Sequence, residues 1–147
     1  MANRRVVVTG LGLLSPVGNN VPDSWANILE GKSGVKTITN FDTENFETKF
    51  AATVEENIEN LLDKKEIRRT DPFIQYGLIA SQECLEDSLI ELDNTDLNRF
   101  GVSIGSGIGG LGTIEENKIK LSESGPKKIS PFFVPGAIAN MVSGYAS

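Results

Sequence analysis

Apolar and polar positions along the chain fall into short blocks that predict strands alternating with helices. Val6-Val7-Val8 follows two arginines and stops at Thr9-Gly10. A short β-branched run bounded by glycine predicts a strand over residues 4–9, buried on both faces as in a parallel sheet. Gly10-Leu11-Gly12 and Ser15-Pro16-Val17-Gly18 then predict a glycine-rich loop. Pro22 suits a first helical turn, and Asp23 is favourable beside its positive end. Trp25, Ile28 and Leu29 follow at helical spacing, and Gly31 is the expected stop.

Residues 32–62 are less regular, with a short strand expected over 51–54. Lys64 to Arg69 predicts a short basic helix. Asp71-Pro72 marks a helix start, a capping carboxylate followed by proline. Ile74, Leu78, Leu85 and Leu89 then share one predicted face through Ile90. Phe100 to Ile104 is a second expected strand, ending at Gly105-Ser106-Gly107. Ile114 to Leu121 predicts a helix, Ser124-Gly125-Pro126 a turn, and Pro131 to Pro135 a rigid aromatic segment. From Gly136 the pattern is helical again, with Ile138, Met141 and Val142 apolar. It runs to Ser147 without a cap, a glycine stop or a polar tail. The expectation is a chain cut within a helix.

Composition narrows the chemistry. The chain has 147 residues, 39% hydrophobic and 23% charged, which is ordinary globular make-up. Its formal net charge of -6 disfavours nucleic acid as the main partner, because phosphate binding wants a basic surface. There is one cysteine, Cys84, and no histidine. A disulfide framework, a zinc site and a histidine general base are therefore not expected. No stretch approaches the roughly 20 apolar residues that a membrane span needs, so a soluble, cytoplasmic chain is expected.

Several motifs invite sharper readings. Gly105-Ser106-Gly107-Ile108-Gly109-Gly110 satisfies the dinucleotide fingerprint after an expected strand. The acidic residue wanted about 20 positions on is missing, and Lys127 and Lys128 stand there instead. A tight turn packed against backbone is the better reading, and a small dinucleotide-binding module stays as the alternative. Gly10 to Ser15 is a poorer version, interrupted by Pro16. Ala26 to Ser33 ends like a phosphate loop in Gly31-Lys32-Ser33, but a predicted helix precedes it where a strand is needed. Cys84 lies mid-helix among carboxylates and reads as structural. Lys65, Arg68 and Arg69 share one helical face, which is either a solvated surface or a docking patch for an acidic partner. Phe132 and Phe133 read as core or as the lining of a pocket or interface.

Four stretches occur together in one family. They are Arg4 to Gly12 with Ser15 to Gly18; Phe73-Ile74-Gln75-Tyr76-Gly77; Ile104 to Gly112 with Glu115-Glu116-Asn117; and Lys128 to Pro135. In order and spacing they resemble the type II β-ketoacyl-acyl-carrier-protein synthases, condensing enzymes with the thiolase-like fold. The resemblance implies an α/β fold, with residues 1–147 as the N-terminal part of one thiolase-like domain and an incomplete mixed or parallel sheet flanked by helices. It implies an acyltransferase of fatty-acid elongation that uses no cofactor, is a homodimer when intact, and works on acyl- and malonyl-loaded acyl-carrier protein.

The resemblance also assigns positions. Lys65, Arg68 and Arg69 match a patch that docks the carrier protein. Ile108 matches the gate of the acyl pocket, with Leu111 beside it. Phe133 matches an aromatic that lines the pocket from across the dimer interface. The family's nucleophilic cysteine and histidine pair have no counterpart in this sequence, and Cys84 matches neither the position nor the context of that cysteine. No catalytic residue is expected in the chain. A non-catalytic docking or dimerisation fragment is the second reading. Missing later strands would leave sheet edges open, so the chain alone is expected to fold poorly.

Overall fold

A computed structural model of the chain describes residues 4–54 and 60–147. Residues 55–59, within the stretch expected to be irregular, lie outside the described residues, as do 1–3. The helices are α1 (Val21–Leu29), α2 (Lys64–Arg69), α3 (Pro72–Ser88), α4 (Leu111–Ser124), α5 (Phe133–Ala137) and α6 (Met141–Ala146). The strands β1 (Val35–Thr37) and β2 (Phe50–Ala52) pair antiparallel, with Lys36 opposite Ala51. The strand expected over 51–54 is thus one residue early. Its partner β1 has no apolar alternation to announce it.

Start and stop chemistry places α1 as the sequence predicts. The Asn20 side chain accepts from the Asp23 amide at 2.7 Å, and Pro22 occupies the first turn. Gly31 follows at φ +68, a conformation that glycine adopts without strain.

Helix α3 organises the rest. Gly77 lets α6 approach so closely that a Cβ there would overlap Val142. Val142, Ile74, Ile79 and Ala137 form the small buried apolar core. Elsewhere on α3 the N-terminal segment lies flat against the helix. A Cβ at Gly10 or Gly12 would overlap the Cys84 or Ala80 carbonyl. Glu83 accepts from the Leu13 and Val21 amides at 2.8 and 2.7 Å, and Asp87 accepts from the Leu11 amide at 2.8 Å. Two backbone donors of a strandless segment, and the first amide of α1, are satisfied by two carboxylates one helical turn apart. The single face predicted for α3 is redistributed accordingly. Ile74 is buried, Leu78 and Leu85 are half-buried, and Ile79 is buried instead of Leu89. Leu89 lies past the helix end at φ 54, fully turned to solvent.

The two strands expected over 4–9 and 100–104 do not form ladders. A buried parallel strand needs hydrogen-bonded neighbours and covered faces, and among the described residues neither stretch pairs with a strand. Val6 is 87% exposed as a result. Ile104 has a substitute partner: its amide donates to the Ser143 hydroxyl at 2.9 Å, and that hydroxyl donates back to its carbonyl at 3.1 Å.

Helix α4 begins three residues before the expected Ile114 and ends at Gly125, whose φ is +81. The helix expected from Gly136 is broken into α5 and α6. Continuing α5 would require the Gly136 and Ala137 carbonyls for the next turn. They accept instead from Asp71 and Gly110 amides, at 3.2 and 2.8 Å.

Candidate functional site

The basic cluster folds as predicted into α2. Asp63 caps it, accepting from the Lys65 amide at 2.7 Å. Arg68 and Arg69 fall in its last turn, where positive charge suits the helix end. Lys64, Lys65, Arg68 and Arg69 are all exposed. The turn from α2 into α3 is fastened from inside by Gln75, a buried amide that donates to the carbonyls of Ile67 at 3.1 Å and Thr70 at 2.6 Å. The basic helix is therefore held in a fixed pose on α3.

Arg69 is the member of the cluster with an aromatic partner. Its guanidinium carbon lies 4.8 Å from the centre of the Phe132 ring, within cation–π range. Phe132 directly precedes Phe133, the first residue of α5. Close by, the Asp71 amide donates to the Gly136 carbonyl, and a Cβ at Gly136 would press on the Arg69 carbonyl at 2.7 Å. The end of α2 and the segment carrying Phe133 thus touch through backbone and side chain. A groove of about 360 Å³ opens at this junction, lined by Arg68, Arg69, Thr113, Lys120, Ser130 and Phe132 among others.

Ile108 and Leu111 flank the other side of α5. Both are exposed. Between them, Gly109 takes φ +89 and lies against the Ala137 carbonyl, where a Cβ would overlap. The Gly110 amide donates to that same carbonyl at 2.8 Å. Phe133 opens the five residues of α5 and Ala137 closes them, so this one helical turn joins the Ile108–Leu111 loop to the Phe132–Phe133 segment. The glycine-rich run packs on the Ala137 backbone at Gly109 and on the Asp71 side chain at Gly110, and no ladder strand feeds it.

Cys84 is half-buried on α3, and its thiol donates to the Gly10 carbonyl at 3.4 Å. That bond belongs to the seam between α3 and the N-terminal segment. Among the described residues, no group of His, Cys, Asp and Glu could hold a metal, and no helix is long and apolar enough to cross a membrane.

Sequence reasoning located the basic face and the aromatic segment but not their contact. It read Asp71 as the cap of α3 only, and it missed Gln75, Glu83 and Asp87 as fasteners. Asp71, Glu83 and Asp87 act on segments distant in sequence, and Gln75 reaches back five and eight residues, beyond one helical turn.

The architecture has counterparts among solved structures. The ishigamide ketosynthase/chain length factor superposes on 99% of this chain and 36% of its own, with a TM-score of 0.81 and 25% identity. The fold is therefore the thiolase-like ketosynthase fold. The family model described as the beta-ketoacyl synthase N-terminal domain matches residues 3–147, and the chain belongs to that family. Similar relatives include the 3-oxoacyl-[acyl-carrier-protein] synthase 2 of Coxiella burnetii, 53% identical, and that of Vibrio cholerae, 52% identical. Each alignment takes in 100% of this chain and 36% of the relative, so the chain spans about a third of the curated relatives it matches.

Proposed function

We propose that residues 1–147 are the N-terminal portion of a thiolase-like domain in a 3-oxoacyl-acyl-carrier-protein synthase of fatty-acid elongation. The names of the relatives support this reading of substrate and partner. In that reaction an acyl group passes from carrier protein to a cysteine thiolate of the enzyme. Malonyl-carrier protein then loses carbon dioxide. The carbanion so formed attacks the acyl thioester, forms the new carbon–carbon bond and expels the thiolate. The enzyme uses no cofactor and works as a cytoplasmic homodimer.

This chain contributes recognition to that scheme. Lys65, Arg68 and Arg69 dock the acidic carrier protein. Ile108 gates the acyl pocket, Leu111 adjoins the gate, and Phe133 lines the pocket across the dimer. The observation that carries the proposal is an exposed basic helix, fixed on α3, in a chain of net charge -6. The sequence has no histidine, and the Cys84 thiol is engaged with Gly10 midway along α3. No catalytic residue is assigned to the chain, and it is inactive alone. The second reading, a non-catalytic docking or dimerisation fragment, rests on the same two facts. For the dinucleotide alternative, close packing at Gly109 and Gly110 supports a structural role for those two glycines, whereas a Cβ at Gly105 or Gly107 would meet open space; no NAD binding is expected.

The test combines turnover and affinity. The 147-residue chain, mixed with acyl- and malonyl-loaded carrier protein, should give no condensation product. The full-length enzyme should bind carrier protein at low salt, and Lys65→Glu with Arg68→Glu should weaken that binding at least about tenfold. Rising salt should erode the wild-type affinity. Product formed by this chain would overturn the inactivity. Equal affinity after charge reversal would overturn the docking face.

A further inference from the structure

We infer that Phe132 is a positioning residue of the docking face, a ring that holds the Arg69 guanidinium ready for the carboxylates of an acidic partner protein. The inference rests on the docking reading above and deepens it. An arginine free in solvent samples many rotamers, and a partner that binds it must first stop that motion. A ring beneath the guanidinium stops it beforehand. The 4.8 Å separation from the ring centre is the observation that carries this.

Both halves of the stack are rooted. The Phe132 amide donates to the Ser130 hydroxyl at 3.1 Å. The Ser130 amide donates in turn to the side chain of Asn117 at 2.9 Å, and Asn117 is only 4% exposed on α4. The Gly136 amide donates to the Phe132 carbonyl at 2.8 Å, tying the ring's residue into α5. On the other side, Gln75 holds the carbonyl of Thr70, next to Arg69. The backbone beside each partner is tied down, Thr70 by a buried hydrogen bond and Ser130 by a part-buried one.

Stacking and docking are compatible because they use different parts of the guanidinium. The guanidinium carbon lies over the ring, and a guanidinium stacked face-on keeps its in-plane N–H donors for carboxylates. Arg69 is exposed, and the Phe132 ring is itself 37% exposed beside the groove. The nearby Lys120 ammonium is paired with Glu116, so it adds little net positive charge to this groove. The docking face therefore includes an uncharged residue that the pattern of basic residues does not reveal.

A double-mutant cycle on carrier-protein affinity tests this, using the full-length enzyme and the unloaded carrier protein. Phe132→Leu should weaken binding about two- to fivefold, the value of an exposed cation–π contact. Its salt dependence should stay that of wild type, because no charge is lost. Arg69→Gln should weaken binding and flatten the salt dependence. In the Arg69→Gln background, Phe132→Leu should have no further effect. Phe132→Tyr, which keeps the ring, should bind as wild type and guards against a mere folding defect. Wild-type affinity in Phe132→Leu, or independent effects that multiply, would overturn the role of Phe132 while leaving the docking face intact. Absence of carrier binding by the wild-type enzyme would overturn the docking reading itself.

Discussion

Asp71 accepts a hydrogen bond from the Thr113 amide at 3.0 Å, 42 residues along the chain, and so caps two helices with one carboxylate. Its other oxygen accepts from the Phe73 amide at 3.3 Å in the first turn of α3. Helix α4 has Gly110 at its N-cap position and no capping side chain of its own. A Cβ at Gly110 would press on the Asp71 carboxylate at 2.8 Å, so the glycine makes room for the borrowed cap. The pair fixes the start of α4, and with it Leu111, relative to the α2–α3 turn that carries the basic face.

Loss of a side-chain cap costs about 1 kcal/mol. Asp71→Ala removes both caps and should cost about 2 kcal/mol, whereas Asp71→Asn keeps one acceptor oxygen and should cost about half of that. Amide hydrogen exchange checks this locally. Thr113 and Phe73 should both exchange faster in Asp71→Ala, and one of them should keep its protection in Asp71→Asn. Unchanged protection of Thr113 in the alanine variant would show that α4 is capped by something else.

That relationship shows where sequence reading succeeded and stopped. Asp71-Pro72, Lys64 to Arg69, and Pro22 to Gly31 were legible because caps, charges and stops act within one helical turn. The second bond of Asp71, the Arg69–Phe132 stack and the carboxylates of Glu83 and Asp87 were not legible, because each spans tens of residues. The two expected strands failed for a related reason. Val6 to Val8 have the composition of a buried strand, but composition does not supply the neighbours that a ladder requires. The break between α5 and α6 was hidden because two carbonyls bond to distant amides.

The seam between the N-terminal segment and α3 can be opened by one methyl group. At Gly12 a Cβ would overlap the Ala80 carbonyl, which is main chain within a helix and cannot move aside cheaply. Gly12→Ala should therefore lift residues 10–13 off the helix. The Leu11 and Leu13 amides would leave Asp87 and Glu83, and the Cys84 thiol would lose its Gly10 acceptor. Alkylation of Cys84 near neutral pH reports this directly. It should run several-fold faster in Gly12→Ala than in wild type, with the helix content of α3 retained. An unchanged rate would mean that the segment does not shield the thiol.

The exposed apolar surface sets the last expectation. A compact monomer of 15.9 kDa should expose about 7,400 Å². The chain exposes 11315 Å², about half as much again. Val6, Val7, Val8, Trp25, Leu29 and Phe50 are each more than half exposed, and they are residue types that other proteins bury. Among the described residues, only Ile74, Ile79, Ala137 and Val142 form the buried apolar core, all of them around α3, α5 and α6. With so little burial, the opposing conformational entropy is poorly offset, and cooperativity suffers. Heating the isolated 147-residue chain should give a broad loss of helix signal without a sharp midpoint. A dye that binds apolar surface should fluoresce with it at low temperature. The last signal to be lost should come from α3 and α6, where Gly77 and Val142 meet. A sharp two-state melt would mean that the valine run and the α1 face are covered in solution, for which self-association is the first cause to examine, by repeating the melt across protein concentrations.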